Sequence, residues 1–228
     1  MGGVIVALPL TSGPVALFLV LEQGPAFAAG ASLGSMTGAL AQGVFCLGYS
    51  ALAARGWPLA FAGGAAAFAL TGLVLQRLAL PLIPLALVVA VGLAAAMGVM
   101  PRGQEARRPA PPPAWDIPAR MLVATTLVLA LTAAAAALGP RLSGLLATFP
   151  VYAGILAVFG HHHDGPGPAT RALRGLLAGL FGFAAFFAVI AALIERVGTA
   201  PAFGAALFVT VVLQALALAL VREAPAAG

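Results

Sequence analysis

The chain has 228 residues, 62% of them hydrophobic and only 7% charged, with eleven Arg, no Lys, two Asp, four Glu and a single cysteine, Cys46. A soluble domain is about a quarter charged and at most half apolar, so a soluble globular protein, a disordered chain and a coiled coil are excluded, and one cysteine excludes a disulfide scaffold. Apolar runs of about twenty residues, without alternating polar positions, also exclude a barrel and leave an all-α integral membrane protein.

Eight transmembrane helices are expected, each near the ~20 residues that cross ~30 Å of hydrocarbon. The first is Val4 to Leu21, and the residues before it, Met1-Gly2-Gly3, lack the basic start of a signal peptide. The second runs from Ala28 to Ala54, the third from Leu59 to Leu75 and the fourth from Leu80 to Met100. A polar linker follows over 101–120, with the run Pro109-Ala110-Pro111-Pro112-Pro113, which cannot continue a helix. The fifth span is Met121 to Leu138, the sixth Leu145 to Gly160, the seventh Leu173 to Ile194 and the eighth Pro201 to Val221. The organisation is thus a membrane unit over 1–100, the Pro/Arg linker over 101–120 and a second membrane unit over 121–228.

Charge sets the expected orientation. With the linker in the cytoplasm, that side holds Arg55, Arg102, Arg107, Arg108, Arg120, Arg171, Arg174 and Arg222, and the other holds Arg77, Arg141 and Arg196. This is a positive-inside distribution with both termini cytoplasmic. The Ala, Gly, Pro and Arg bias without Lys fits a high-GC bacterial genome, and hence a bacterial inner membrane. Membrane lipids are the expected partners, a homo-oligomer is compatible with the pattern, and arginines at span ends speak for topology rather than for nucleic acid.

An offset of 141 residues aligns the chain with itself. Gly3 meets Gly144, Pro9 meets Pro150, Gly13 meets Gly154, Phe18 meets Phe159, Gly24-Pro25 meets Gly165-Pro166, Gly34 meets Gly175, Gly38 meets Gly179, Phe45 meets Phe186 and Arg55 meets Arg196. With Ala and Leu matches included, 15 of the 53 positions from 3 to 55 are identical, where composition alone gives roughly six or seven. The copies pair span one with six, two with seven and three with eight. Five spans separate them, so the second copy crosses in the opposite sense. Two inverted-topology repeats are a common construction of secondary transporters. Span five has no counterpart ahead of Met1: either the first copy lacks that helix or Met1 is internal to a longer gene, and span four is then the connecting helix.

The best-matched stretch is also the most irregular: Ala7-Leu8-Pro9-Leu10-Thr11-Ser12-Gly13-Pro14 in the first copy and Thr148-Phe149-Pro150-Val151-Tyr152-Ala153-Gly154 in the second. Proline within a span frees a carbonyl, and such breaks survive where they pack in protein or line a cavity. Pro9, Thr11, Ser12 and Gly13 with Pro150, Tyr152 and Gly154 are therefore the expected substrate site, facing each other if spans one and six adjoin at the centre. The bland alternative is a pair of kinks that only shape packing. A Gly ladder, Gly30, Gly34 and Gly38, with Gly175 and Gly179 in span seven, is expected to mark close helix contact.

No carboxylate lies at mid-span, which favours a facilitator over ion-coupled transport. Gln42, Cys46, Tyr49, Thr125, Thr126 and Gln214 are polar mid-span residues, and a single Gln there is more often an interhelical hydrogen bond than a ligand contact. His161-His162-His163-Asp164 resembles a metal cluster. Consecutive residues on a helix point about 100° apart, however, so only a loop could gather them on one ion. The expected reading is an interfacial polar cap with no metal. No cofactor motif and no catalytic signature occurs, so an enzyme is not expected.

The segment Gly144-Leu145-Leu146-Ala147-Thr148-Phe149-Pro150, and again Gly2-Gly3-Val4-Ile5-Val6-Ala7-Leu8-Pro9, resembles the Gly-Gly-Leu-x-Ala-x-x-Pro run that enters the second helix of small bacterial membrane proteins of the GlpM and DUF3147 type. The resemblance implies a fused pair of such units and a link to envelope polysaccharide synthesis, and it transfers no catalytic residues. The expected function is a multi-pass permease or facilitator for a small or lipid-like solute. The alternative, from another class, is a non-transporting accessory protein that scaffolds an envelope polysaccharide synthesis complex.

Overall fold

The computed structural model describes residues 12–103, 115–119, 121–123, 125–126, 129–130 and 149–223. Every element among them is helical: α1 (Ser12–Gln23), α2 (Pro25–Leu52) with a 3-10 turn at Ala53–Arg55, α3 (Trp57–Leu78), α4 (Leu82–Val99), α5 (Val151–Asp164), α6 (Pro166–Val197) and α7 (Thr199–Glu223). Five of these stretches, Pro25–Arg55, Trp57–Leu78, Leu82–Val99, Pro166–Val197 and Thr199–Leu216, are long and apolar enough to cross a membrane. Large side chains point outward from them, among them Leu70, Ile83, Val91 and Phe208. An apolar exterior is compatible with a membrane protein.

The helix corners follow from glycine and proline. Gly24 has φ 88° and ψ 169°, and Gly165 has φ 88° and ψ −179°. A side chain rarely adopts these angles, and glycine does so freely. Proline comes next in each case, at the first position of α2 and of α6, where its missing N–H would be unpaired anyway. One helix therefore ends and the next begins within a single residue. This is why α6 starts at Pro166, seven residues before the expected Leu173. Arg171 and Arg174 stand on its opening turns and not in a loop.

The centre of the bundle is the pair α2 and α6, which share one of its two most extensive helix contacts. The end of α2 lies beside the end of α5, where the Tyr49 hydroxyl meets His161, and α5 turns directly into α6. The two central helices therefore run antiparallel. α3 packs on α2, α7 packs on α6, and α4 covers both central helices. α1 packs on α2, and α5 packs on α6 and α3. The expected central pairing of spans one and six thus gives way, in the described residues, to spans two and seven. The long central helices bury the bulky Met36, Phe45, Leu177 and Phe186, whereas α1 and α5 each lean on them from one side.

The hydroxyls of Ser32 and Thr37 on α2 are satisfied without leaving the helix. Ser32 Oγ donates to the Ala28 carbonyl at 2.8 Å and Thr37 Oγ1 to the Leu33 carbonyl at 3.1 Å. This one-turn back-bonding is the usual solution for hydroxyls on a buried helix. The Gly ladder is corrected at its start. Gly30 and Gly34 are exposed, with nothing within 4 Å of where a Cβ would stand, while Gly38 and Gly179 are buried and Gly175 is half-buried. Close contacts within the chain fall instead at Gly43, against Leu93 and Leu177, and at Gly48 and Gly64, where α3 crosses α2.

Candidate functional site

Pro9 and Thr11 lie outside the described residues, as do the side chains of Ser12 and Tyr152. The described members of the expected site are all buried: Gly13, Pro150 and Gly154. Pro150 caps α5 and accepts a hydrogen bond from the Gly154 N–H at 2.7 Å. Gly13 stands with its would-be Cβ 3.7 Å from Phe186 Cζ, and Gly154 with its would-be Cβ 2.9 Å from Phe61 Cε2. Each glycine thus abuts an aromatic pair belonging to the other half of the chain.

Those pairs have matching geometry. Phe45 and Phe61 meet edge to face at 6.0 Å and 80°, and Phe186 and Phe203 at 6.0 Å and 79°. Edge-to-face contact at this spacing is favourable for aromatic quadrupoles. The first pair belongs to a larger cluster, because Phe149 meets Phe45, Phe61 and Phe68 at 6.3, 6.3 and 5.4 Å. The interior at this point is filled. A shallow apolar cleft of about 20 Å³, lined by Ala153, Leu156, Ala157, Ala172, Leu173 and Leu176, lies beside α5.

Two polar contacts bind α5 to distant parts of the chain. The Tyr49 hydroxyl is 3.2 Å from the Ala157 carbonyl and 3.1 Å from His161 Nδ1. Tyr49 is fully buried and His161 is 9% exposed. A phenol has one proton. With Tyr49 donating to the carbonyl, the His161 Nδ1–H donates to the Tyr49 oxygen, and both groups are satisfied while the imidazole is neutral. Burial lowers the His161 imidazole from its ordinary value of 6.5, because desolvation penalises the cation. Two residues on, His163 Nε2 lies 3.0 Å from Asp116 Oδ1, with Trp115 against the His163 ring. Asp116 is 2% exposed.

α5 runs through Asp164, so the three imidazoles fan around a helix. His161 points inward to Tyr49, His163 reaches Asp116, and His162 is exposed. Among the described residues no group of three His, Cys, Asp or Glu side chains could hold a metal ion. The same end of the bundle gathers arginines. Arg174 donates to the Met100 carbonyl and Arg171 donates to the Gly103 carbonyl at 3.4 Å.

Of the other polar span residues, Gln214 makes the interhelical bond expected of a lone glutamine, its Nε2 donating to the Gly179 carbonyl at 3.1 Å. Cys46 is buried, Gln42 is half-buried, and Thr125 and Thr126 are exposed. Tyr49–His161 and Asp116–His163 are pairings the sequence does not announce. Their members stand 112 and 47 residues apart, and only the packing of α5 against α2 and against residues 115–119 joins them. No protein-family model, curated protein or solved structure matches the chain.

Proposed function

We propose that the protein is a multi-pass inner-membrane permease or facilitator for a small or lipid-like solute, formed by two copies of a three-helix unit inserted with opposite topology. The supporting observation is local geometry that recurs at the repeat offset. Gly24 and Gly165 make the same corner, followed by proline at the same helix position. Phe45–Phe61 and Phe186–Phe203 make the same edge-to-face pair. The offset is 141 residues up to the second corner and 142 beyond it, since Gly56 and Gly198 are the next pair of equivalent corners, with φ 101° and 82°. Equivalent helices α2 and α6 run antiparallel, as copies related by a two-fold axis in the membrane plane must.

In such folds the substrate site lies near the bilayer midplane on interrupted helices at the repeat interface. Pro9, Thr11, Ser12 and Gly13 of one copy, with Pro150, Tyr152 and Gly154 of the other, are the residues of this site. Gly13 and Gly154 abut the aromatic pairs of the opposite copy, so movement of one copy against the other changes both contacts together. The packed rings of Phe45, Phe61, Phe68 and Phe149 then belong to a closed state. Both termini, the 101–120 linker and the arginine-bearing end of the bundle face the cytoplasm on this reading.

The close packing of the Phe45, Phe61, Phe68 and Phe149 rings also favours a second reading, in which the protein transports nothing and scaffolds an envelope polysaccharide synthesis complex, as the GlpM-type resemblance implies. Proteoliposome swelling separates the two. Vesicles carrying the protein should swell faster than empty ones in at least one of a panel of small uncharged polyols, amides and alcohols, and Gly154→Leu should abolish the difference by driving into Phe61. Equal swelling across the panel, with stoichiometric co-purification of an envelope synthase from bacterial membranes, would transfer the assignment to the scaffold.

A further inference from the structure

We propose that His161 is a proton-binding site whose occupancy opens the seam between the two halves of the protein at the end where Tyr49 closes it. The proposal deepens the transport reading and rests on it for its direction across the membrane. Tyr49 belongs to α2 of the first copy and His161 to α5 of the second, so their hydrogen bond crosses the repeat interface. It closes at neutral charge. Tyr49 donates to the Ala157 carbonyl, and His161 donates from Nδ1 to Tyr49. A second proton enters at Nε2 from the water at this helix end, where His162 is exposed. The product is a cation in a position 9% exposed, and a buried cation without a paired anion is strongly disfavoured.

Among the described residues, the charged surroundings do not rescue it. On α5 itself, His162 and His163 are further bases, and Asp164 is exposed to solvent. The acid of the 115–119 segment, Asp116, is held by His163. The turn after α2 brings Arg55, and α6 brings Arg171 and Arg174, all of the same sign as the new charge. The charged residue of α3, Arg77, stands at that helix's far end. Hydration is therefore the available relief, and it requires α5 to part from α2. The repeat makes the device one-sided. At the 141-residue offset the counterparts of His161 and Tyr49 are Val20 and Ile190, both buried and apolar, so this pair has no counterpart in the first copy.

The sign is fixed by the direction of the shift. A histidine held below its ordinary value stabilises the closed seam above about 6.5, and that stabilisation is lost as pH falls through the ordinary value toward the lowered one.

The native Cys46 is a built-in reporter. It is fully buried and sits one helical turn before Tyr49 on α2. N-ethylmaleimide labelling of Cys46 in proteoliposomes, divided by the rate for a free model thiol at the same pH, should rise ~tenfold between pH 8 and pH 5.5. His161→Gln keeps a hydrogen-bonding side chain and cannot titrate, so its ratio should stay low and flat. His163→Gln should retain the rise, and Tyr49→Phe should raise the ratio already at pH 8. A wild-type ratio that does not change with pH, or an equal rise in His161→Gln, overturns the proposal. Swelling measured in parallel keeps the two readings apart. A His161-dependent rise without solute permeability upholds the proton site and removes transport, whereas permeability without the rise removes the proton site alone.

Discussion

Phe45→Ala should destabilise the protein by about 3–5 kcal/mol, the range for truncating a fully enclosed phenylalanine. Phe45 is 0% exposed, and its ring meets those of Tyr49, Phe61 and Phe149. Where lipid is as apolar as the side chain, burial alone contributes little between helices, and packing contacts hold them together. The truncation removes those contacts outright and leaves a void that three rings cannot refill without tilting. Phe186→Ala should cost a similar amount, because its ring is equally enclosed and meets Phe187 and Phe203. Unfolding titrations in mixed micelles would measure both. A loss below about 1 kcal/mol at either position would deny the aromatic pairs their role in joining the helices.

Gly64→Leu should be strongly damaging. A Cβ at Gly64 would stand 3.0 Å from the Phe45 ring and 3.0 Å from the Phe45 carbonyl oxygen. The ring can turn, but the carbonyl is part of α2 and cannot, so α3 must move away. Overpacking of this kind costs about 1–3 kcal/mol, and the displaced contact includes the aromatic cluster. Gly34→Leu should be tolerated or mildly stabilising, because the space at Gly34 is open and leucine is the better helix former by about 1 kcal/mol. Thermal inactivation in detergent would rank the two. If Gly34→Leu proves the more harmful of the two, the exposed end of the ladder is a contact between chains, and cross-linking would show the wild-type oligomer and its loss.

The ladder shows where sequence reasoning stops. Glycines four apart announce which residues share a helix face, and not whether another helix covers that face. Gly43, Gly48 and Gly64 carry the close approaches, and their spacing matches no four-residue rule, because each answers to a different neighbour. By contrast, Gly24-Pro25 and Gly165-Pro166 stood out in the sequence as a matched pair, and the structure turns each into a corner, since a positive φ demands glycine and a first helical turn accepts proline. The expected span opened only at Leu173 because Arg171 ahead of it marks a span end, whereas Arg171 and Arg174 both stand on α6 and bond the backbone at Gly103 and Met100. Aromatic identity between Phe45 and Phe186 was visible as one match among fifteen, but the partners Phe61 and Phe203 were not, because the one-residue difference at the second corner takes them out of the ungapped register. In the candidate site, Gly13, Pro150 and Gly154 are buried. Tyr49 with His161 needed the tertiary contact to be seen at all.

The proposed inverted relation of the two halves is tested most directly at Gln23 and Asp164, which stand 141 residues apart, close α1 and α5 and are both exposed. In a Cys46→Ala background, Gln23→Cys and Asp164→Cys would be probed in intact cells with a membrane-impermeant maleimide, and again after permeabilisation. The expected result is labelling of Gln23→Cys from outside and of Asp164→Cys only after permeabilisation. Labelling of both from the same side would contradict the inverted arrangement, whichever face the linker occupies.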